Sequence, residues 1–184
     1  MIISISGPAG SGKSTVAKML AKKLDWSRYY IGGLRRAKAK EKGMTLTEYN
    51  KLGETDPSTD IEVDEYQTEL GKNEDNFVIE GRTSWHFIPQ SLKIYLNVDE
   101  AVGAKRIFDE LQKENERNED KNLNTVDDVI KSHKKRSQSD DKRYKKYFNI
   151  NVHNLENYDL VVDTSELSRD EVLARVWDEI GRCL

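Results

Sequence analysis

Residues 7–14 read Gly-Pro-Ala-Gly-Ser-Gly-Lys-Ser, an octapeptide of the form GxxxxGK[ST], and its setting constrains this chain more than any other feature. Ile2, Ile3 and Ile5 precede it as a short apolar run. Val16, Leu20 and Leu24 follow at helical spacing, with Ala17 and Ala21 beside them. A buried strand therefore feeds a glycine loop that opens a helix running from about Lys13 to Leu24. In that setting Gly7, Pro8, Ala9, Gly10, Ser11 and Gly12 turn successive backbone N–H groups inward at a helix N-terminus, where the dipole favours an anion. Lys13 is expected to bridge the β- and γ-phosphates of a nucleoside triphosphate and to act catalytically. The Ser14 hydroxyl is expected to ligate Mg²⁺, and Thr15 to lie in the same ATP site.

Downstream, short apolar stretches at Tyr29–Ile31, Phe77–Ile79, Leu92–Val98 and Leu160–Val162 alternate with helical patterns. The helices are expected over 34–42, 45–54, 58–72, from Asp99 to about Glu116, from Thr125 to about Tyr147, and from Ser168 onward. Asp56 reads as an N-cap with Pro57 at the first helical position. Short, continuously apolar strands alternating with helices indicate an α/β fold with a doubly wound, parallel, five-stranded sheet. The strand order is not legible. Val172, Leu173, Val176, Trp177 and Ile180 are expected in the core, and Tyr144, Tyr147 and Tyr158 are expected to pack the long helix on the sheet.

The chain's 184 residues suit one domain. With 34% charged residues and no apolar run near the length of a membrane span, an integral membrane protein is excluded. One cysteine, Cys183, excludes an internal disulfide framework, and His86, His133 and His153 lack metal-ligand spacing. The first residues carry no basic segment followed by a long apolar one, so the expected compartment is the cytoplasm and the expected state a monomer. A net charge of −3 argues against nucleic acid as a partner. Residues 131–146 nevertheless hold eight Lys/Arg against two Asp. That patch suits either a small polyanion bound in a cleft or a solvated helix face.

Among phosphate-loop proteins, a GTPase is disfavoured because no NKxD is present and no DxxG follows a strand. Leu160-Val161-Val162-Asp163 comes too late in the chain for the second ATPase motif. A small kinase remains. The chain resembles the cytidylate kinases, most of all their compact archaeal form. The resemblance rests on the phosphate loop, Gly32-Gly33-Leu34-Arg35-Arg36, Lys42-Gly43-Met44-Thr45-Leu46, Asp56-Pro57 with Asp60 and Asp64, and Ile79-Glu80-Gly81-Arg82. It continues through Ala104-Lys105-Arg106-Ile107, Arg136 with Arg143-Tyr144, and Tyr158 to Ser165. This implies transfer of the γ-phosphate of ATP to CMP or dCMP. It also implies a core of 1–31, 73–108 and 125–184, an acceptor-binding segment over 32–72 and a lid over 109–124.

The same resemblance implies that Arg36 and Arg82 hold the acceptor phosphate, and that Arg136, Asp140 and Arg143 form a ribose-and-phosphate set with Arg136 and Arg143 catalytic. Spacing agrees, because positions i, i+4 and i+7 lie within about 60° on a helix; an exposed Arg136–Asp140 ion pair has the same spacing. Glu80 either holds Mg²⁺ waters or caps the next turn. Arg117 is the lid candidate for ATP. Three positions depart from the family pattern: Tyr66 stands where an arginine is usual, Thr83 where bacterial relatives have aspartate, and Gly33 where archaeal ones have aspartate. Tyr66 is therefore the candidate contact to the base, and looser base discrimination is expected. Two alternatives stay open, a kinase acting on an alcohol with Asp60 or Asp64 as base, and a nucleotide-binding regulatory protein with weak ATPase activity.

Overall fold

The computed structural model describes residues 1–113 and 123–183. Arg117 and most of the lid segment lie outside them. Five strands, β1 (Ile2–Ser6), β2 (Ser27–Tyr30), β3 (Phe77–Glu80), β4 (Leu92–Asn97) and β5 (Leu160–Asp163), pair in parallel in the order β2-β3-β1-β4-β5. β1 therefore sits between β3 and β4, where the winding reverses, and the phosphate loop leaves its carboxyl end. That is where an open parallel sheet leaves a crevice for a ligand.

The sheet is buried by strand alternation. Ile3, Ile5, Val78, Ile94, Leu96 and Val162 pack against Val16 and Leu20 of α1 (Lys13–Leu24) and Val172, Val176 and Ile180 of α8 (Arg169–Cys183). Ile2, Phe77 and Ile79 face the opposite way, toward Val63 and Leu70 and toward Ile88. Each fully buried aliphatic side chain contributes about 1.5–3 kcal/mol, so both faces must be covered for the sheet to stand. Trp177 is half-buried rather than core, with the Lys23 ammonium 4.1 Å from its ring. Tyr158 packs on Tyr95 and Trp85 beside the sheet, and Tyr147 instead ties the long helix to Gly53 O at 2.8 Å.

The second strand ends one residue earlier than the sequence suggests. α2 (Ile31–Glu41) begins directly after Tyr30, so Gly32 and Gly33 lie in a helical turn and not in a loop. α3 (Leu46–Gly53) opens on a Thr45–Glu48 capping box. α4 (Ser58–Asn73) follows Asp56, whose carboxylate accepts from Ser58 N at 3.0 Å. A one-turn helix, α5 (Ser84–Phe87), leaves no periodic trace in sequence. α6 (Glu100–Leu111) is shorter than its apolar pattern suggests, and α7 (Val126–Phe148) starts with a Thr125–Asp128 capping box. No helix among the described residues is long and apolar enough to cross a membrane.

Candidate active site

Close packing makes the phosphate loop a glycine loop. Gly7 has φ +140°, and a Cβ there would stand 2.1 Å from Leu96 O at the end of β4. Gly10 has φ +79°, and its Cβ would stand 2.2 Å from Gly103 O on α6. Any side chain would push the loop off the sheet edge. Two side chains then hold it. Arg106 of α6 donates to Gly10 O at 3.2 Å and Thr164 O at 2.7 Å, and Thr164 Oγ1 lies 3.2 Å from Ser11 O. Lys13 folds back over the loop, its ammonium donating to Pro8 O at 2.6 Å. Arg106 belongs to the motif run quoted above but carries no role there. Its task shows only once α6 is seen beside the loop.

At the first turn of α1 the Ser14 hydroxyl donates to Glu80 Oε2 at 2.5 Å. The other Glu80 oxygen accepts from Arg28 Nε at 2.7 Å, so this carboxylate, only 2% exposed, is held in place from β2. Two hard oxygens thus meet at the mouth of the loop. Among the described residues no group of three or more His, Cys, Asp or Glu is gathered to cage a metal. A pair of protein oxygens suits Mg²⁺, which keeps most of its waters and takes the rest of its shell from phosphate. Sequence reading missed Arg28, a single cation on an edge strand.

Across the crevice, Arg36 donates to Tyr30 Oη at 2.8 Å and Gly32 O at 3.3 Å. Arg82, directly after β3, forms an ion pair with Asp140 of α7. Arg82 lies two residues past β3, and Arg36 lies in α2, which follows β2. Arg82, Asp140, Tyr95 and the loop residues Gly7, Pro8 and Ala9 bound a cleft of about 400 Å³.

The three residues expected to act together on α7 are divided. Asp140 pairs with Arg82 and Arg143. Arg143 is fully buried, its guanidinium shared between Asp140 and Asp60 of α4. Arg35 donates to the same Asp60 oxygen at 2.9 Å and to Asn50 Oδ1 at 2.7 Å. A chain of alternating charges, Arg35–Asp60–Arg143–Asp140–Arg82, therefore runs from the acceptor segment through α7 to the sheet edge. Arg143 is not presented to the cleft as the spacing suggested, because α4 packs against it. Arg136 lines a second groove of about 510 Å³ between α3 and α7, with Lys51, Lys135 and Lys142 around it.

Tyr66 is also displaced from its expected place. It stands 42% exposed on the outer face of α4, edge-on to Tyr29 at 6.4 Å. Next to it in sequence, Gln67 is fully buried and points inward, donating to Asp64 Oδ1 at 3.2 Å and accepting from Ser84 Oγ at 2.7 Å. Thr83 Oγ1 lies 3.4 Å from the Gln67 amide nitrogen. Burial, reinforced by the Asp60 carboxylate, pushes the Asp64 carboxyl up to about 8, so it is protonated at neutral pH. Helix phase explains the exchange: neighbours on a helix are 100° apart, so Tyr66 and Gln67 cannot share a face.

A phosphate loop at the reversal point of a parallel 2-3-1-4-5 sheet, with a carboxylate beside its serine and arginines across the crevice, defines a P-loop kinase. Solved structures agree on the fold. The chain is similar to an uncharacterized protein from Eubacterium ventriosum (TM-score 0.71, 17% identity, 98% of each chain covered) and to a shikimate kinase from Bacteroides thetaiotaomicron (TM-score 0.65, 16% identity, 98% of each chain). Within that class the chain belongs to the cytidylate kinase-like family, whose model matches residues 2–166. It is 36% identical to the cytidylate kinase of Methanococcoides burtonii over 165 residues, 90% of this chain and 88% of that one. It is 38% identical to that of Pyrococcus furiosus over 177 residues, 96% of this chain and 86% of that one.

Proposed function

We propose that this chain transfers the γ-phosphate of ATP to a nucleoside monophosphate, with CMP or dCMP the preferred acceptor. The observation that carries this reading is Arg82 and the phosphate loop bounding one cleft at the sheet edge, with Arg36 nearby. Two anions can then be held end to end. The acceptor phosphate oxygen is already anionic at neutral pH, so attack on the γ-phosphorus needs no general base. Positioning and charge neutralisation supply the catalysis. Lys13 and the loop N–H groups take the triphosphate, and Arg36 and Arg82 orient the attacking oxygen in line with the bond to be broken. Ser14 and Glu80 would hold Mg²⁺, which when bound neutralises charge on the β- and γ-phosphate oxygens. Asp140 would release Arg82 to the acceptor and turn to a ribose hydroxyl.

A kinase acting on an alcohol would need a carboxylate base. Asp60 is tied up by two guanidiniums, Asp64 is buried and held by Gln67, and neither lines the cleft, so neither serves. A coupled assay of ADP release with CMP, dCMP, UMP, AMP, GMP and shikimate tests the assignment directly. CMP should lead in kcat/KM, with UMP and dCMP within about two orders of magnitude. Tyr66 faces away from this site, so the looser selectivity rests on Thr83, a hydroxyl where bacterial relatives have a carboxylate, and one lost contact of that kind is worth about 1–3 kcal/mol. A purine in the lead overturns the pyrimidine assignment, and a CMP preference beyond about 1000-fold over UMP overturns the looser selectivity.

Arg36→Ala and Arg82→Ala should each raise the KM for CMP by about 10- to 100-fold, the value of charge-assisted bonds to phosphate, and leave the KM for ATP nearly unchanged. Equal losses for both substrates would place these arginines outside the acceptor site.

A further inference from the structure

Tyr30 ends β2 level with Glu80 of β3 in the strand register, at the edge of the sheet where the reaction would occur. Its hydroxyl accepts from Arg36 Nη1 at 2.8 Å, and its ring lies 5.4 Å from the guanidinium carbon of Arg28, the partner of Glu80. The side chain is 40% exposed. A large ring so open at a strand end is held by its polar contacts and by the backbone beneath it, not by core packing.

That backbone is shaped for the ring. A Cβ on Gly32 would come within 2.8 Å of the Tyr30 ring, and one on Gly33 within 2.6 Å. Both glycines lie in the first turn of α2 and neither has a positive φ. Glycine is a poor helix former, so two in succession need a reason other than backbone conformation. The reason visible here is space for the ring.

We propose that Tyr30 is a positioning residue of the acceptor site: its hydroxyl sets the orientation in which Arg36 meets the acceptor phosphate, and Gly32-Gly33 seats its ring so that the hydroxyl can do so. This rests on the monophosphate-kinase reading above. Tyr30→Phe keeps the ring and removes the bond. Gly33→Ala keeps the hydroxyl but pushes the ring from its seat. The two changes therefore reach Arg36 by one route.

The test is a double-mutant cycle on purified full-length protein, reading kcat and the KM values for CMP and ATP. Tyr30→Phe and Gly33→Ala should each raise the KM for CMP by about 5- to 10-fold, less than the loss of a direct bond to the phosphate because Arg36 itself remains. The kcat and the KM for ATP should stay within about twofold, and the double variant should be no worse than either single one, because coupled residues are not additive. Alanine favours a helix over glycine, so Gly33→Ala should melt no lower than the parent, which separates lost acceptor affinity from lost folding. The inference is overturned if Tyr30→Phe leaves the KM for CMP unchanged while Arg36→Ala raises it, or if the two effects multiply. A parent enzyme that turns over none of the monophosphates removes the functional reading itself, and this inference with it.

Discussion

Replacing Lys13 with alanine is expected to lower turnover by at least about 100-fold while leaving the fold intact. The side chain leans on Pro8 O across the loop and contributes little to the core, so circular dichroism and melting should change little. In the function proposed above its ammonium meets the charge that spreads over the transferred phosphoryl group, and removing such a preorganised charge costs about 2.7–4 kcal/mol of barrier. Lys13→Arg should not rescue fully, because a planar fork cannot take the place of a compact point charge. Unchanged turnover in a folded Lys13→Ala protein would rule out the phosphate loop as the catalytic element.

The second large effect is on stability and comes from Arg143. Its guanidinium is fully buried between Asp60 and Asp140. Arg143→Met keeps most of the volume but leaves Asp60 and Asp140, only 3% and 2% exposed, with one guanidinium each, Arg35 and Arg82, in place of two. Breaking a buried ion pair costs about 3–5 kcal/mol where the remaining charge has lost both water and its only partner; each carboxylate keeps one partner here, so a loss of about 2–3 kcal/mol is expected. For a chain of this size that is a fall in Tm of about 4–12 °C. Pairing Arg143→Met with Asp60→Asn should add to the loss, because the buried Arg35 then loses its carboxylate. Urea unfolding of the single and double variants checks this. A single variant within about 0.5 kcal/mol of the parent would show that the charge chain does not hold α4 to α7.

The parts legible in the sequence share one property: they are local. The phosphate loop is contiguous, and its flanking strand and helix announce themselves by apolar run and by period. Alternating strands and helices force a parallel sheet with both faces covered, and the chain folds that way. Glu80 ends a recognisable strand and Arg82 follows it, so their place at the sheet's carboxyl edge could be read as well. Gly33, read as a departure from a family pattern, could not be explained in one dimension, because the ring it accommodates lies on the preceding strand.

What only the tertiary structure decided is which helix lies against which. Spacing puts Arg136, Asp140 and Arg143 on one face of α7, yet that face meets three surroundings. Arg143 meets Asp60, 83 residues away in the chain, Asp140 meets Arg82 across the cleft, and Arg136 lines the α3 groove. Tyr66 and Gln67 are neighbours in sequence, but the packing of α4 on the sheet turned the glutamine inward and the tyrosine out. Periodicity fixes the angle of a side chain about its own helix axis and nothing about the neighbour at that angle. The neighbour is set by sheet order and helix crossing, and those depend on burying apolar area from distant parts of the chain at once. The sequence by itself therefore determined the phosphate loop, the class of fold and the chemistry at the loop. The partners of the charges on α4 and α7, and so which arginines line the cleft and which are buried in ion pairs, were decided only by the tertiary packing.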